Sequence, residues 1–182
     1  MEGWSIMNVT RLLVLGTIRY LGAAHGYALR RQLDDWRVET WTTVRSGSVY
    51  HALGQLHKEG KLATCGSEAG ARGTERTVFS LTPSGETEFF SLLELALESF
   101  DLPQLSAGIA FLGQLPPSRA QSLLASLYER LTANKVFLQK LAENTANDQA
   151  VPRTADLLDL WAGNLEATAQ SVSRLKSKIA NE

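Results

Sequence analysis

The chain has 182 residues, of which 44% are hydrophobic and 20% are charged, and its formal net charge is -1. This composition excludes a disordered chain, and the length allows one substantial domain or two small ones. The longest apolar runs fall well short of the roughly 20 residues of a membrane span, and the N-terminus lacks a signal-peptide pattern. A single cysteine, Cys65, excludes an internal disulfide and suits a reducing compartment. We therefore expect a cytoplasmic protein in which Cys65 is a small strand residue.

The charge is divided unevenly between the two halves. Residues 1–81 carry ten Lys and Arg against seven Asp and Glu, whereas residues 82–182 carry eight against twelve. A basic module beside an acidic one fits a domain that faces nucleic acid, joined to a domain with another task. The basic surplus is small, so charge alone does not indicate DNA binding.

Two short amphipathic helices are predicted at the N-terminal end. The first covers residues 8–21, with Asn8 as a suitable N-cap and leucines at helical spacing on one side. A Gly-Ala-Ala run then interrupts the pattern, and a second helix is expected over residues 25–36. Trp36 and Trp41, near and after its end, are expected to be core residues.

A third helix, predicted over residues 45–60, has two contrasting faces. Val49, Leu53 and Leu56 form an apolar stripe that a core would bury. The other face is polar, so it either lies in solvent or hydrogen-bonds base edges and phosphates in a major groove. For one of its members, Tyr50, packing of the ring is an alternative to DNA contact. The side chains expected at such an interface are Arg45, Ser46, Ser48, Tyr50, His51, Gln55 and Lys58.

A β-hairpin follows this helix. Residues 61–67 and 75–81 alternate as strands do, and the connection GSEAGARGT at 66–74 is longer and richer in glycine than a tight turn needs. Three helices and a hairpin in this order are the winged helix-turn-helix arrangement. The third helix would enter the major groove, and Arg72 and Arg76 of the hairpin would reach phosphates or the minor groove.

Only helices are predicted in the second half. Thr82 and Pro83 suit the N-cap and first position of a helix that residues 101–103 would end. A short apolar helix is expected over about 104–115, before two prolines at 116–117 interrupt the pattern.

Two long helices with heptad spacing complete the chain, one over residues 118–143 and one after the turn-like NTANDQAVPR. Such seams either pack two helices within one chain or join two copies, and we expect both. A homodimer follows from this interpretation. The side chains expected to carry dimerisation are Leu124, Leu131, Leu138, Leu158, Trp161, Leu165, Val172, Leu175 and Ile179.

Three motifs are distinctive: HGYAL at 25–29, SGSVYHALGQLHKEGKL at 46–62 and RTVFSLTPSGE at 76–86. They resemble the start of the second helix, the recognition helix and the second wing strand in the PadR-like family of transcriptional regulators. Phe79 departs from the family, which usually has Tyr there. The resemblance implies a dimeric, usually repressing regulator that leaves DNA in response to a small molecule or another signal. Because a dimer would read two half-sites, we expect a pseudo-palindromic operator.

We therefore expect a mainly α protein with two domains. Residues 8–82 would form the winged helix-turn-helix DNA-binding domain and residues 83–182 a helical dimerisation domain. A winged helix that binds only protein remains an alternative function.

An enzymatic site is not predicted. His51 and His57 are six residues apart and face different ways on one helix, and one cysteine cannot complete a zinc site. We expect no metal, no cofactor and no catalysis.

A small-molecule effector is expected where the wing domain meets the C-terminal helices, near Phe89, Phe100, Phe137 and Trp161. The alternative is that these aromatic residues belong to the core. No Arg or Lys cluster is expected among them, which favours an apolar or aromatic molecule over a strongly anionic one.

Overall fold

The computed structural model describes residues 8–69, 75–145 and 153–180. In this part of the chain, seven α-helices and a small antiparallel sheet confirm the expected mainly α fold. The chain divides into two compact units: the first ends at Ala96 and also includes Asp101–Leu112, and the second comprises Leu97–Phe100 and the chain from Gly113 onward. Residues 83–96 therefore pack with the N-terminal unit. The boundary expected at residue 82 separates a DNA-binding domain from a dimerisation domain by function, and it stays a prediction.

The first three helices are α1 (Val9–Leu21), α2 (Gly26–Asp35) and α3 (Ser46–Lys58). Their starts follow from local chemistry, because Asn8 Oδ1 accepts a hydrogen bond from the Arg11 N–H at 3.2 Å. At the start of α2, His25 Nδ1 accepts from the Ala28 N–H at 3.0 Å. Trp36 and Trp41 are only half-buried, so the expectation of two core tryptophans is met in part.

The sheet has the strand order β1-β3-β2, with β1 at Ala24–His25, β2 at Leu62–Ala69 and β3 at Glu75–Leu81. The Gly-Ala-Ala run ends α1 at Leu21 as expected, but Ala24 and His25, for which no strand was expected, pair with β3. Strand β2 also runs to Ala69 and takes in residues expected in the hairpin tip, since the ladder with β3 continues to that point. Pairing with β3 determines both β1 and the end of β2.

The helices α4 (Pro83–Leu97) and α5 (Leu102–Ala110) follow the wing. Thr82 caps α4 as expected, with its Oγ1 accepting from the Gly85 N–H at 3.1 Å. The prediction that residues 101–103 end a helix was wrong. Asp101 instead begins α5 by accepting from the Gln104 N–H at 3.0 Å, because Asp followed by Pro in the first turn favours initiation.

In the first unit, α1 is the central helix. Its Leu12, Leu13, Leu15 and Ile18 are fully buried. A Cβ at Gly16 would lie 2.5 Å from Phe111 Cζ, so the glycine lets that ring lie against the helix. The core fixes the positions of the other helices because its side chains interdigitate at high density.

In the second unit, α6 (Pro117–Thr145) and α7 (Thr154–Ile179) pack against each other, which confirms the intramolecular use of the seams. The buried positions include four predicted ones, Leu124, Leu131, Leu165 and Val172. Trp161 does not join this stripe: its side chain is 62% exposed, because Ala162 takes the inward position. The side chains of Leu138, Leu158, Leu175 and Ile179 are half-buried.

No helix in the described part of the chain is long and apolar enough to cross a membrane. Among the same residues, no group of His, Cys, Asp and Glu side chains is arranged to hold a metal ion.

Candidate nucleic-acid interface

The two faces of α3 are separated as predicted. Val49, Leu53 and Leu56 are buried, with at most 6% exposure. On the other side, His51 and Lys58 are exposed and Gln55 is half-buried. The outward surface of α3 is therefore polar along its length, and the apolar stripe attaches it to the core.

The first turn of α3 is fixed by Ser48. Its Oγ accepts a hydrogen bond from the Arg45 N–H at 3.2 Å and donates one to the Arg45 carbonyl at 2.6 Å. This uses the only hydroxyl proton, so Ser48 can offer an incoming molecule an acceptor lone pair alone. Ser46 and the N-capping Arg45 are exposed beside it, at the positive end of the helix dipole.

Tyr50 was expected either to pack its ring or to contact DNA, and its surroundings allow both in part. A Cβ at Gly26 would lie 2.8 Å from Tyr50 Cε1, so the ring packs on the glycine at the start of α2. The residue is nevertheless 45% exposed. One side of the ring is thus seated, and the remainder is accessible to a partner.

The C-terminal end of α3 is held by an ion-pair network around Arg11 of α1. The Arg11 guanidinium donates to both Glu59 oxygens, at 3.1 and 2.6 Å, and its Nε donates to Glu88 at 2.7 Å. Lys61 Nζ lies 3.3 Å from the second oxygen of Glu88. The Arg11 hydrogen bond lowers the pKa of Glu59, and the same bond to Glu59 raises the pKa of Arg11. The network joins α3 to α1 and α4.

His57 connects α3 with the wing. Its Nδ1 lies 3.1 Å from the Leu62 carbonyl oxygen, and its ring meets the Phe79 ring edge-on with centroids 5.3 Å apart. Phe79 is the position at which the sequence departs from the family. Its ring packs at the base of the wing, and this contact involves no hydroxyl.

Near the tip end of the β2–β3 ladder, Arg76 stacks on an aromatic ring. Its guanidinium lies 4.9 Å from the centroid of Tyr27, and His25 Nε2 lies 3.4 Å from a carboxylate oxygen of Glu68. The sequence analysis predicted Arg76 and missed these neighbours. Only the HGYAL motif drew attention to this segment. Arg72, the other predicted wing arginine, lies outside the described residues.

Cys65 lies in β2 as expected, at an irregularity in the register between Thr64 and Gly66. It is exposed, and its Sγ lies 3.6 Å from the Val78 carbonyl oxygen.

The four aromatic residues proposed for an effector have different surroundings. Phe89 is fully buried in the first unit, with Arg19 5.6 Å from its ring centroid. In the second unit, Arg130 lies 5.0 Å from the centroid of Phe100, whereas Phe137 and Trp161 are about 60% exposed. A single arginine therefore accompanies each of the Phe89 and Phe100 rings, whereas the expectation concerned an Arg or Lys cluster among the four. An effector site near any of these residues stays a prediction.

Residues 14–90 match the model of the transcriptional regulator PadR-like family. Over this segment the chain is similar to that family. The match covers all three motifs that suggested the family, and it confirms that resemblance. Members of the family are transcription regulators rather than enzymes, as the sequence indicated. A search of curated proteins finds no match to the chain.

Solved structures of similar proteins include Bacillus subtilis PadR in complex with operator DNA, at 20% identity and a TM-score of 0.43, covering 95% of this chain and 98% of that one. A PadR-like transcriptional regulator from Bacillus cereus has 19% identity and a TM-score of 0.39, covering 95% and 99%. Bacillus subtilis PadR in complex with p-coumaric acid has 16% identity and a TM-score of 0.39, covering 99% and 100%.

Proposed function

We propose that this PadR-like regulator binds a pseudo-palindromic operator as a homodimer and represses transcription from it. The observation that carries the proposal is the polar outward surface of α3 beside a wing that carries a half-buried cation, Arg76, near the tip end of its strand ladder. Hydroxyl, imidazole and amide groups on a protruding helix suit hydrogen bonding to base edges, and flanking cations suit phosphates. The residues proposed to contact DNA are Arg45, Ser46, Ser48, Tyr50, His51, Gln55, Lys58, Arg72 and Arg76.

The same surface argues against a winged helix that binds only protein. The cores of protein interfaces are depleted in charge and enriched in aromatic and aliphatic side chains. On α3 the only large ring that faces outward is Tyr50, and it is partly seated on Gly26. The outward positions around it are polar, charged or glycine.

The proposed homodimer is supported by apolar side chains that the α6–α7 pair leaves uncovered. On α7, Leu157, Leu160 and Trp161 are 52%, 61% and 62% exposed, and on α6 Phe137 is 60% exposed. Leu157, Leu160 and Trp161 are spaced by three and four residues and share one side of α7, and exposed apolar surface of this kind marks an interaction site. A second copy would cover it and place two recognition helices on half-sites about 34 Å apart.

Release by an effector completes the proposal. A small apolar or aromatic molecule near Phe89, Phe100, Phe137 or Trp161 would bind the DNA-free form better than the bound form and shift the population toward it. Binding should quench the fluorescence of Trp161, and Trp161→Phe is the control. A regulator that acts on DNA would work in the cytoplasm.

Two experiments test the proposal. Selection from random DNA, read by sequencing, should enrich a two-fold related sequence; enrichment of none would favour the protein-binding alternative. A promoter carrying that sequence should then be less active when the protein is present.

Light scattering at micromolar concentration should show a dimer that Leu160→Glu weakens, because the substitution places a charge on the proposed apolar interface. The matched control is Gln170→Glu, an exposed polar position on the same helix. A monomeric wild-type protein would contradict the homodimer.

A further inference from the structure

Three consecutive residues at the start of α2, His25, Gly26 and Tyr27, contact both elements that are proposed to face DNA. We propose that this segment positions those elements, and that Tyr27 in particular holds the Arg76 guanidinium ready for a DNA phosphate. The inference rests on the proposed DNA binding. It assigns a task to a motif that the recognition helix and the wing do not themselves explain.

The first observation is the stacking of Arg76. Its guanidinium lies 4.9 Å from the Tyr27 ring centroid, within the range of a cation–π contact, while Tyr27 itself is 55% exposed. Among the described residues, Arg76 forms no ion pair with a carboxylate. The ring therefore orients the side chain without using its hydrogen-bond donors, all of which stay available to phosphate oxygens.

The second observation concerns the nearest carboxylate. Glu68 lies directly opposite Arg76 in the ladder of β2 and β3, where side chains of opposite charge normally attract each other. The Glu68 carboxylate is instead 3.4 Å from His25 Nε2. A neutralised Arg76 would be a poor phosphate ligand, so the position of Glu68 matters for binding.

The N-cap explains why His25 can hold Glu68. Because His25 Nδ1 accepts the Ala28 N–H at 3.0 Å, that nitrogen carries no proton. A neutral ring then has its proton on Nε2, which faces Glu68. One histidine thus begins α2 and holds the Glu68 carboxylate beside its own ring.

The third observation is the packing of the Tyr50 ring against Gly26. The absent side chain of Gly26 leaves room for the Tyr50 ring, since a Cβ there would approach Tyr50 Cε1 to 2.8 Å. Tyr50 of α3 and Arg76 of the wing are therefore fixed by adjacent residues of one turn. A side chain that is already oriented loses less conformational entropy on binding, which increases affinity.

A double-mutant cycle tests the inference on operator DNA selected with the full-length protein, with affinity measured by fluorescence anisotropy at several salt concentrations. Tyr27→Leu removes the stacking surface and should weaken binding about 2- to 5-fold for each wing, the effect of an exposed cation–π contact. Tyr27→Phe keeps the ring and should bind as the wild type does. In an Arg76→Gln background, Tyr27→Leu should cause no further loss.

The variants also separate positioning from direct contact. Arg76→Gln should reduce the slope of log affinity against log salt by about 0.9 for each phosphate that the arginine neutralises, whereas Tyr27→Leu should leave the slope unchanged. Arg76→Lys keeps the charge but loses the planar stack, so it should lose affinity as Tyr27→Leu does. This variant keeps the test decisive if Tyr27→Leu folds poorly.

A second arm examines His25. The variant His25→Asn keeps an N-cap and removes the group that holds Glu68, so affinity should fall, and Glu68→Gln in the same chain should restore it. Circular dichroism melts check that each variant is folded.

Any one of five results would overturn the inference: unchanged affinity in Tyr27→Leu, unchanged affinity in Arg76→Lys, the same Tyr27→Leu loss without Arg76, equal losses in Tyr27→Phe and Tyr27→Leu, or no rescue by Glu68→Gln. A wild-type protein that binds no DNA would refute the proposed function and this inference with it. If the protein binds DNA and substitution of Tyr27 does not change the affinity, the inference is refuted and the proposed function is not.

Discussion

Gly54 lies in the middle of α3. We expect Gly54→Ala to increase stability and a larger side chain at the same position to reduce DNA affinity. A Cβ at this position would meet no atom within 4 Å, and the residue is exposed. Its backbone is helical, so Gly54→Ala should raise the free energy of unfolding by the difference in helix propensity, about 0.8–1.0 kcal/mol. Thermal or urea unfolding followed by circular dichroism measures this gain.

The effect on DNA binding follows from the position of Gly54 on the same side of α3 as His51 and Lys58. If this surface lies against base edges, the glycine lets the helix approach closely. A larger apolar side chain, as in Gly54→Leu, should then separate the surfaces at a cost of about 1–3 kcal/mol, by analogy with overpacking, which is roughly 5- to 150-fold in affinity.

Gly163 provides the matched control. It is an exposed glycine inside α7 with no atom within 4 Å of a Cβ, so Gly163→Ala should stabilise the protein by a similar amount. Its DNA affinity should equal that of the wild type. If Gly54→Leu binds operator as tightly as the wild type, the outward surface of α3 does not lie in the groove and the interface has been misplaced.

Further predictions concern stability and pH. Gly85→Ala should destabilise the protein by about 1–3 kcal/mol in urea unfolding, because its Cβ would lie 2.1 Å from the Lys61 carbonyl oxygen, a backbone atom that cannot move aside; an unchanged midpoint would contradict this close contact. Leu56→Ala should cost about 2–5 kcal/mol because the side chain is fully buried, and a loss below about 1 kcal/mol would place α3 outside the core. Arg11 lowers the pKa of Glu59, so the ionised carboxylate stabilises the folded state above the unfolded pKa of Glu59, and this contribution is lost as pH falls through the lower folded pKa. The stability difference between wild type and Arg11→Gln should therefore shrink on acidification, and a difference that stays constant with pH would show that the ion pair is not its source.

The fold of the N-terminal unit could be predicted because its determinants are local. The apolar spacing of Val49, Leu53 and Leu56 and the alternation in β3 depend on neighbours in sequence, as do the caps at Asn8 and Thr82. The strand at Ala24–His25 could not be predicted in this way. Its partners, Phe79 and Val78, lie more than 50 residues away, and nothing near Ala24 signals the pairing.

The candidate site shows the same difference between features set by local sequence and features set by distant contacts. The exposed residues of α3 follow from periodicity, whereas the contacts that position them do not. Arg11 meets Glu59 and Glu88 across 48 and 77 residues, and Arg76 meets a tyrosine from another helix. For Trp161, the heptad spacing predicted a position between packed helices. A pair of helices buries only one side of each helix, however, and on α7 the smaller Ala162 faces inward instead of Trp161.

The central claim is that α3 reads base sequence, and the ratio of operator affinity to random-DNA affinity tests it most directly. We predict that the wild-type protein prefers its operator by a factor of at least about 1,000 at physiological salt. Gln55→Ala should remove about 1–3 kcal/mol of that preference while binding random DNA as before, since a contact to a base edge discriminates only on the operator. Equal losses on operator and random DNA, or none on either, would contradict the assignment of base reading to this helix.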